Sequence, residues 1–342
     1  MATFTRRLTP LRFRWIDKAN RSALSATGCR RYSQKAPALE ASDFDFGEYS
    51  VILPEEPFVF GVSHITPRLV PEAILRPPYA SSTKLPGDPY AYPPNACIPL
   101  GGSEEQRVRK SGALAKAVRD YAGTLVKVGA TTNSIDAAIH EFIIAKSAYP
   151  SPLLYRGFPR SCCTSINNII THGIPDDRPL EDGDIINIDI TVYLDGFHGD
   201  TSQTFLVGEV DAKGRELVDL TNKALHHGIA ACGPGMRFRD IGQAIRESIK
   251  GFDVSISPQF TGHGIGSVFH HPPWIIHDIN DEPGVMAPGH CFTIEPALIQ
   301  GSKPTAWIFP DGWTASTENC ARSAQAEHMV LITPDGVDVL TA

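Results

Sequence analysis

Apolar residues recur along this chain with two different periods, and the switches between them mark its elements. From 103 to 126, Val108, Ala113, Leu114, Ala117, Val118 and Leu125 fall on one stripe at helical spacing, which predicts an amphipathic helix. A second helix is expected to run to about 146, capped by Thr132 or Asn133 and carrying Asp136 in its first turn. Residues 185–192 then read as a buried strand. Gly196 closes a turn, and Gly199-Asp200 opens a returning strand over 201–207, so the two strands form a hairpin. Helices follow near 216–231 and 239–251, and short strands near 292–294, 307–309 and 327–332. This order predicts an α+β domain: one curved antiparallel sheet with helices on its outer face.

The pattern repeats. GATTNSIDAAI at 129–139 aligns with GMRFRDIGQAI at 235–245, and GDIINID at 183–189 aligns with GHCFTIE at 289–295, both at an offset of 106 positions. Each half therefore reads as helix, Gly turn, helix and a strand ending in a carboxylate. A pseudo-twofold axis between the halves would set Asp189 and Glu295 face to face.

Three further residues join these two as candidate ligands: Asp200 in FHGDTSQTF, which the hairpin brings near Asp189, His263 in TGHGIG, and Glu327 in SAQAEH. Four ionised carboxylates match the charge of two divalent cations. With a single imidazole they make a mostly oxygen-donor set, which suits hard or borderline ions such as Mn, Fe, Co or Zn. Two such ions about 3.5–4 Å apart can share a bridging water and lower its pKa into the working range. The expectation is a hydrolase with two divalent metal ions per chain. His198, beside Asp200, is read as its support.

Composition changes the picture mainly at the N-terminus. Nine Lys and Arg residues precede Glu40 against a single acid, Asp17, in a Ser- and Thr-rich stretch with Arg30-Arg31-Tyr32-Ser33 near its end. This predicts a transit peptide over 1–32 and a mitochondrial matrix address, with plastid or cytoplasm as alternatives. Residues 33–102 form a Pro-rich extension, since 41–100 hold 11 of the 28 prolines; proline blocks helix propagation, so an extended strap is expected. The catalytic domain is placed at 103–342. The net charge of −7 argues against nucleic acid as a partner, and the lack of an 18-residue apolar run argues against a membrane span. Seven cysteines without a CxxC pair point to reduced thiols, with Cys162 structural.

From about residue 103 onward the chain resembles type 1 methionine aminopeptidases, the pita-bread enzymes of peptidase family M24. The stretches that carry the likeness are YPSPLLYRGFPRSCCTSINNIITHGIP, GDIINIDITVYLDGFHGDTSQTF, GHGIGSVFHHPP, FTIEPAL and DGWTASTENCARSAQAEH. The resemblance implies that Asp189, Asp200, His263, Glu295 and Glu327 bind metal. It also implies that Glu295, His172 and His270 are catalytic, the glutamate moving a proton and the histidines polarising the scissile carbonyl. A methionine pocket is implied at Tyr155, Phe158, Cys163, His172, Phe269, His270, Trp313 and Gln325. The implied reaction removes an initiator methionine that precedes a small residue, by attack of a metal-bridging hydroxide, on nascent or deformylated chains and with ribosome association as a further expectation. Only 31 residues separate His263 from Glu295, which favours type 1 over type 2, whose members carry an insertion there. Departures are Pro152, where some bacterial members have cysteine, and Ala326, where an aromatic residue is usual. No Cys/His array precedes the catalytic region, which with the basic leader favours the organellar form.

Overall fold

Two long strands and two pairs of helices organise the molecule, and each pair follows from the local sequence. In a computed structural model, which describes residues 45–81, 88, 90, 91 and 97–342, the first helices are α1 (Ser103–Leu125) and α2 (Thr132–Ala145). There follow β1 (Tyr149–Pro150), β2 (Cys163–Ile166), β3 (Ile169–Thr171), β4 (Ile185–Leu194) and β5 (Phe197–Leu206). Next come α3 (Ala212–Ala230), α4 (Arg239–Ser248), β6 (Val254–Ile256), β7 (Gly262–Gly264), β8 (His271–Ile275), β9 (Cys291–Ile294) and β10 (Ala297–Gln300). The chain ends with β11 (Ala306–Ile308), β12 (Ala315–Thr317), β13 (Ser323–Gln325), β14 (Glu327–Ile332) and β15 (Val337–Val339).

The main path of the large sheet runs β1-β4-β5-β14-β9-β7-β8, with β2 beside β4 and β15 beside β14. Two three-stranded sheets, β13-β10-β6 and β11-β12-β3, complete it, and every pairing is antiparallel. The single sheet read from the sequence is thus three. The strands that were not anticipated are mostly two to five residues long, too short to display a period. β4 and β5 pair without a break from Ile185↔Leu206 to Leu194↔Phe197. Asp195 and Gly196 join them at φ 52° and 90°. Positive φ at both central residues is what a two-residue hairpin turn with the twist of the strands demands.

Alternation along the strands sorts helix face from site face. Ile186, Ile188 and Ile190 of β4 pack with Ala115, Val118, Ile135 and Ile139 of α1 and α2. Phe292 and Ile294 of β9 pack with Leu217, Leu220, Ile241 and Ile245 of α3 and α4. Each such fully buried aliphatic side chain is worth roughly 1.5–3 kcal/mol. The odd-numbered positions, Asn187, Asp189 and Thr191 on β4 and Thr293 on β9, are left for the other face. The offset repeat is therefore visible as two copies of helix pair plus strand.

The α1 stripe differs from the expected one. Ala113 and Ala117 are exposed, and the buried face is Val108, Ser111, Gly112, Ala115, Val118, Arg119 and Ala122. The reason is close approach. A side chain at Gly199 of β5 would come within 2.3 Å of the Ser111 backbone, so the helix settles on its small residues rather than its apolar ones. The buried Arg119 is paid for by bonds to Thr201 Oγ1 (2.9 Å) and the Thr341 carbonyl (3.0 Å). The cap of α2 is also displaced by one residue: Thr131 Oγ1 accepts from the Ser134 N–H at 3.1 Å.

The expected transit peptide, 1–32, lies outside the described residues. The described residues fall in one compact unit, 44–342, so the Pro-rich segment from 45 belongs to the same body as the sheet. Its described residues are mostly bends, turns and irregular backbone, with a 3-10 turn at Pro78–Ala80. Among the described residues no helix is long and apolar enough to cross a membrane.

Candidate metal centre

The hairpin register delivers the first two acids. Asp189 lies opposite Ser202, and Asp200 opposite Thr191, so both carboxylates stand on one face two positions apart. Thr191 Oγ1 donates to Asp200 Oδ1 at 2.7 Å. Glu327 opens β14 opposite Ser202 and so joins the same face. Asp200, His263 and Glu327 each offer a ligand atom within 4.8 Å of the others'. His263 Nε2 is 3.7 Å from Asp200 Oδ2 and 3.6 Å from Glu295 Oε1. Its Nδ1 lies 3.2 Å from the Gly264 carbonyl, which places the proton on Nδ1 and leaves the Nε2 lone pair toward the acids.

Glu295 follows the last residue of β9 and is held at both oxygens. Thr293 Oγ1 donates to Oε1 at 2.8 Å and Gln325 Nε2 to Oε2 at 3.2 Å, while the Glu295 N–H donates to His277 Nε2 at 3.0 Å. Asp189 Oδ1 is shut off from solvent without a hydrogen-bond partner.

Burial is the first cause that raises all four carboxyl groups: Asp189 to about 7, Glu295 to about 8, and Asp200 and Glu327 well above their usual range. Their mutual repulsion adds to this at Asp200, Glu295 and Glu327. Among the described residues no Lys or Arg forms an ion pair with any of them. Four acids buried together with an orphaned oxygen are costly unless cations compensate them, so the donor set fits divalent metal.

Around this centre lie the residues that the resemblance assigns to a methionine pocket. Cys163 faces Asp189 across the β2–β4 ladder and is buried. Phe158 meets Trp313 edge-on at 5.1 Å. Phe269 stacks on His270 at 3.9 Å, and Tyr155 lies 4.9 Å from Phe269 and 5.0 Å from His270. The His270 ring is 4.1 Å from that of His263, and its buried Nδ1 has no partner. His172 sits 6.4 Å from Trp313, with burial lowering its pKa to about 4; His270 is pushed well down by burial and by its neighbouring histidines. Both are neutral at pH 7. Gln325 is buried between Glu295 and β10.

One reading needs correction. His198 does not brace Asp200, whose support is Thr191; instead its Nδ1 pairs with Ser151 Oγ at 2.9 Å and its ring stacks on Phe269 at 5.1 Å. Cys162 is buried against Asp136, in line with a structural role. Residues that sequence reasoning missed are Thr191 and Thr293. Their signal was period two: each stands two positions from a ligand on the same strand face. His277, just beyond β8, accepts from the Glu295 N–H and so stands behind that ligand rather than in the acid group.

The chain belongs to metallopeptidase family M24, whose model matches residues 106–334. Within it, the chain is similar to methionine aminopeptidases of organelles. It is 50% identical over 285 residues to "Methionine aminopeptidase 1D, chloroplastic/mitochondrial" of Arabidopsis thaliana, covering 81% of this chain and 78% of that one. It is 45% identical to "Methionine aminopeptidase 1D, mitochondrial" of Homo sapiens, covering 86% and 84%. Among solved structures, methionine aminopeptidase from Rickettsia prowazekii superposes with a TM-score of 0.67 at 41% identity, over 69% of this chain and 95% of that one. These neighbours share the pita-bread fold, a curled antiparallel half-barrel with helices outside. A prolidase from Pyrococcus furiosus, 21% identical, shares the fold alone.

Proposed function

We propose that the chain is a metal-dependent aminopeptidase that removes the initiator methionine from proteins with a small second residue. The observation that carries this reading is the buried group of four carboxylates and one imidazole that, among the described residues, has no Lys or Arg paired with it. Asp189, Asp200, His263, Glu295 and Glu327 would hold two divalent cations. When bound, these would supply Lewis acidity that polarises the scissile carbonyl and makes water nucleophilic near neutral pH.

The remaining work falls to the chain. Glu295, fixed at both oxygens by Thr293 and Gln325, is positioned to move a proton from water to the leaving amine. His172 and His270, neutral because they are buried, each keep one N–H to donate to the carbonyl oxygen as charge builds on it. Tyr155, Phe158, Cys163, Phe269 and Trp313 provide an apolar, aromatic slot for a thioether, a mildly favourable contact for sulfur. The substrates on this reading are newly made chains whose terminal amine is free, in mitochondria or plastids as the relatives' names suggest. Residues 1–32 would serve as the transit peptide to the mitochondrial matrix, 33–102 as a strap, and the ribosome as the place of encounter.

The test is cleavage by chelated protein after return of Mn, Fe, Co or Zn in turn. Met-Ala-Ser should be cleaved, whereas formyl-Met-Ala-Ser and Ala-Pro should not. Cleavage of Ala-Pro in preference would make the chain a proline-specific dipeptidase instead.

A further inference from the structure

The loop that carries Tyr155 is bent against its own preferences. Leu154 and Arg156, on either side of it, have φ 65° and 47°, left-handed conformations that non-glycine residues rarely adopt, and Gly157 follows at 92°. Such a loop persists only where its surroundings hold it. Here they come from the Pro-rich segment, more than sixty residues earlier in sequence. The Tyr79 ring meets Tyr155 edge-on at 5.0 Å and lies parallel to His198 at 6.4 Å. Its hydroxyl donates to the Ser151 carbonyl at 2.6 Å, and Ser151 Oγ binds His198, which stacks on Phe269. Tyr90 meets Tyr155 edge-on at 5.5 Å, and its hydroxyl accepts from the Arg156 N–H at 3.2 Å.

The same segment also ties down the residues that lead into β2, which opens with Cys163. Arg68 pairs with the buried Asp136 at 2.6 Å, and Asp136 Oδ1 in turn accepts from the Ser161 N–H at 2.7 Å and the Cys162 N–H at 3.2 Å. Cys163 is the next residue. His140 Nε2 lies 2.9 Å from the Leu69 carbonyl while its Nδ1 lies 2.8 Å from Ser161 Oγ, a second tie between the same two places.

We propose that the Pro-rich segment is a structural part of the methionine pocket, and that Tyr79 and Tyr90 are positioning residues that set its width by holding Tyr155. This rests on the aminopeptidase reading above. A side-chain slot contributes the same contacts to substrate and transition state, so loosening it weakens binding rather than turnover. Discrimination by an apolar slot depends on a fixed wall, so a loosened wall admits branched or larger side chains.

The experiment measures kcat and KM for Met-Ala-Ser and Leu-Ala-Ser on metal-loaded full-length protein, for the wild type, Tyr79→Ala, Tyr79→Phe, Tyr79→Leu and Tyr90→Ala. Calorimetric binding of L-methionine and the Tm of each variant accompany it. Tyr79→Ala and Tyr90→Ala should raise KM for Met-Ala-Ser about tenfold, leave its kcat within about threefold and weaken L-methionine to match. The preference for Met over Leu should fall about tenfold. Tyr79→Phe, which keeps the ring, should return both within about twofold. A lower Tm with wild-type KM, preference and L-methionine affinity would overturn the proposal, because the segment would then only stabilise the fold. If Tyr79→Ala does not fold, Tyr79→Leu and Tyr90→Ala decide by the same criteria. Failure of the wild type itself to cleave Met-Ala-Ser would strike the aminopeptidase reading, a result distinct from unchanged variants of an active enzyme.

Discussion

The acid centre and the wall of the proposed pocket beside it are held in opposite ways. The centre is built from strand register: Asp189, Asp200, Glu295 and Glu327 stand on or directly beside β4, β5, β9 and β14, which are bonded neighbours in one sheet. The wall is a strained loop, 154–157, propped by side chains from a segment with almost no regular structure. Register fixes ligands to a fraction of an ångström, as chemistry at a metal requires. A propped wall can change its props without disturbing the metal. The two regions should therefore fail differently when altered.

The largest expected effect divides them cleanly. Cys163 is buried opposite Asp189 and on the proposed reading lines the methionine slot, so Cys163→Tyr should overfill it. Cleavage of Met-Ala-Ser should fall at least about a hundredfold, which is about 2.7 kcal/mol of transition-state binding, while metal content stays that of the wild type. Unchanged kinetics would remove Cys163 from the pocket.

Thr293→Val reaches the centre without touching a ligand atom. It deletes the donor to Glu295 Oε1 and the acceptor of the His263 N–H, both at about 3 Å, yet preserves shape. Loss of such supporting bonds costs about 10–100-fold in metal affinity or activity. Metal titration followed by activity should show weaker binding, with KM for saturated enzyme nearly unchanged. An altered KM with intact metal affinity would move Thr293 from the centre to the wall.

The smallest effect is thermal. In metal-free protein the folded pKa values of Asp189 and Glu295, about 7 and 8, lie above those of the unfolded chain. Between roughly pH 4.5 and 8 the folded state holds the extra protons, so stability falls as pH rises through that window. The Tm of chelated protein should drop by several degrees from pH 5.5 to 8, about 2–4 °C for each kcal/mol lost, and the drop should largely vanish once metal is returned. A flat profile in both forms would mean the acids are not buried as a group.

What the sequence made legible divides along the same line. The hairpin, the helix pairs and the place of each acid on or just beyond a strand follow from period and spacing, because register is local or repeats at a fixed offset. Where close packing overrides hydrophobicity, the reading slipped: α1 rests on Ser111, Gly112 and Ala115, since Gly199 lets β5 approach within contact. His198 shares a strand face with Asp200, two positions away, so spacing alone points it there; its bond to Ser151 and its stacking on Phe269 turn it to the aromatic cluster instead. The contacts of Arg68, Tyr79 and Tyr90 span 65 or more positions and no period announces them. Relatives at 50% identity identify the family, yet the props of the pocket are visible only in three dimensions.

The central claim is that the five converging side chains hold divalent cations, and its most direct measurement is metal content rather than turnover. Glu327 meets Asp200 and His263 within 4.8 Å, and removing it takes away one charge and two donor oxygens while leaving little apolar cavity. Chelated wild type and Glu327→Ala, reloaded with Mn or Co and examined by native mass spectrometry alongside circular dichroism, give the answer. The account predicts two ions per wild-type chain, fewer in Glu327→Ala and the same circular dichroism in both. Equal metal content in the two proteins, or none in the wild type, would contradict it.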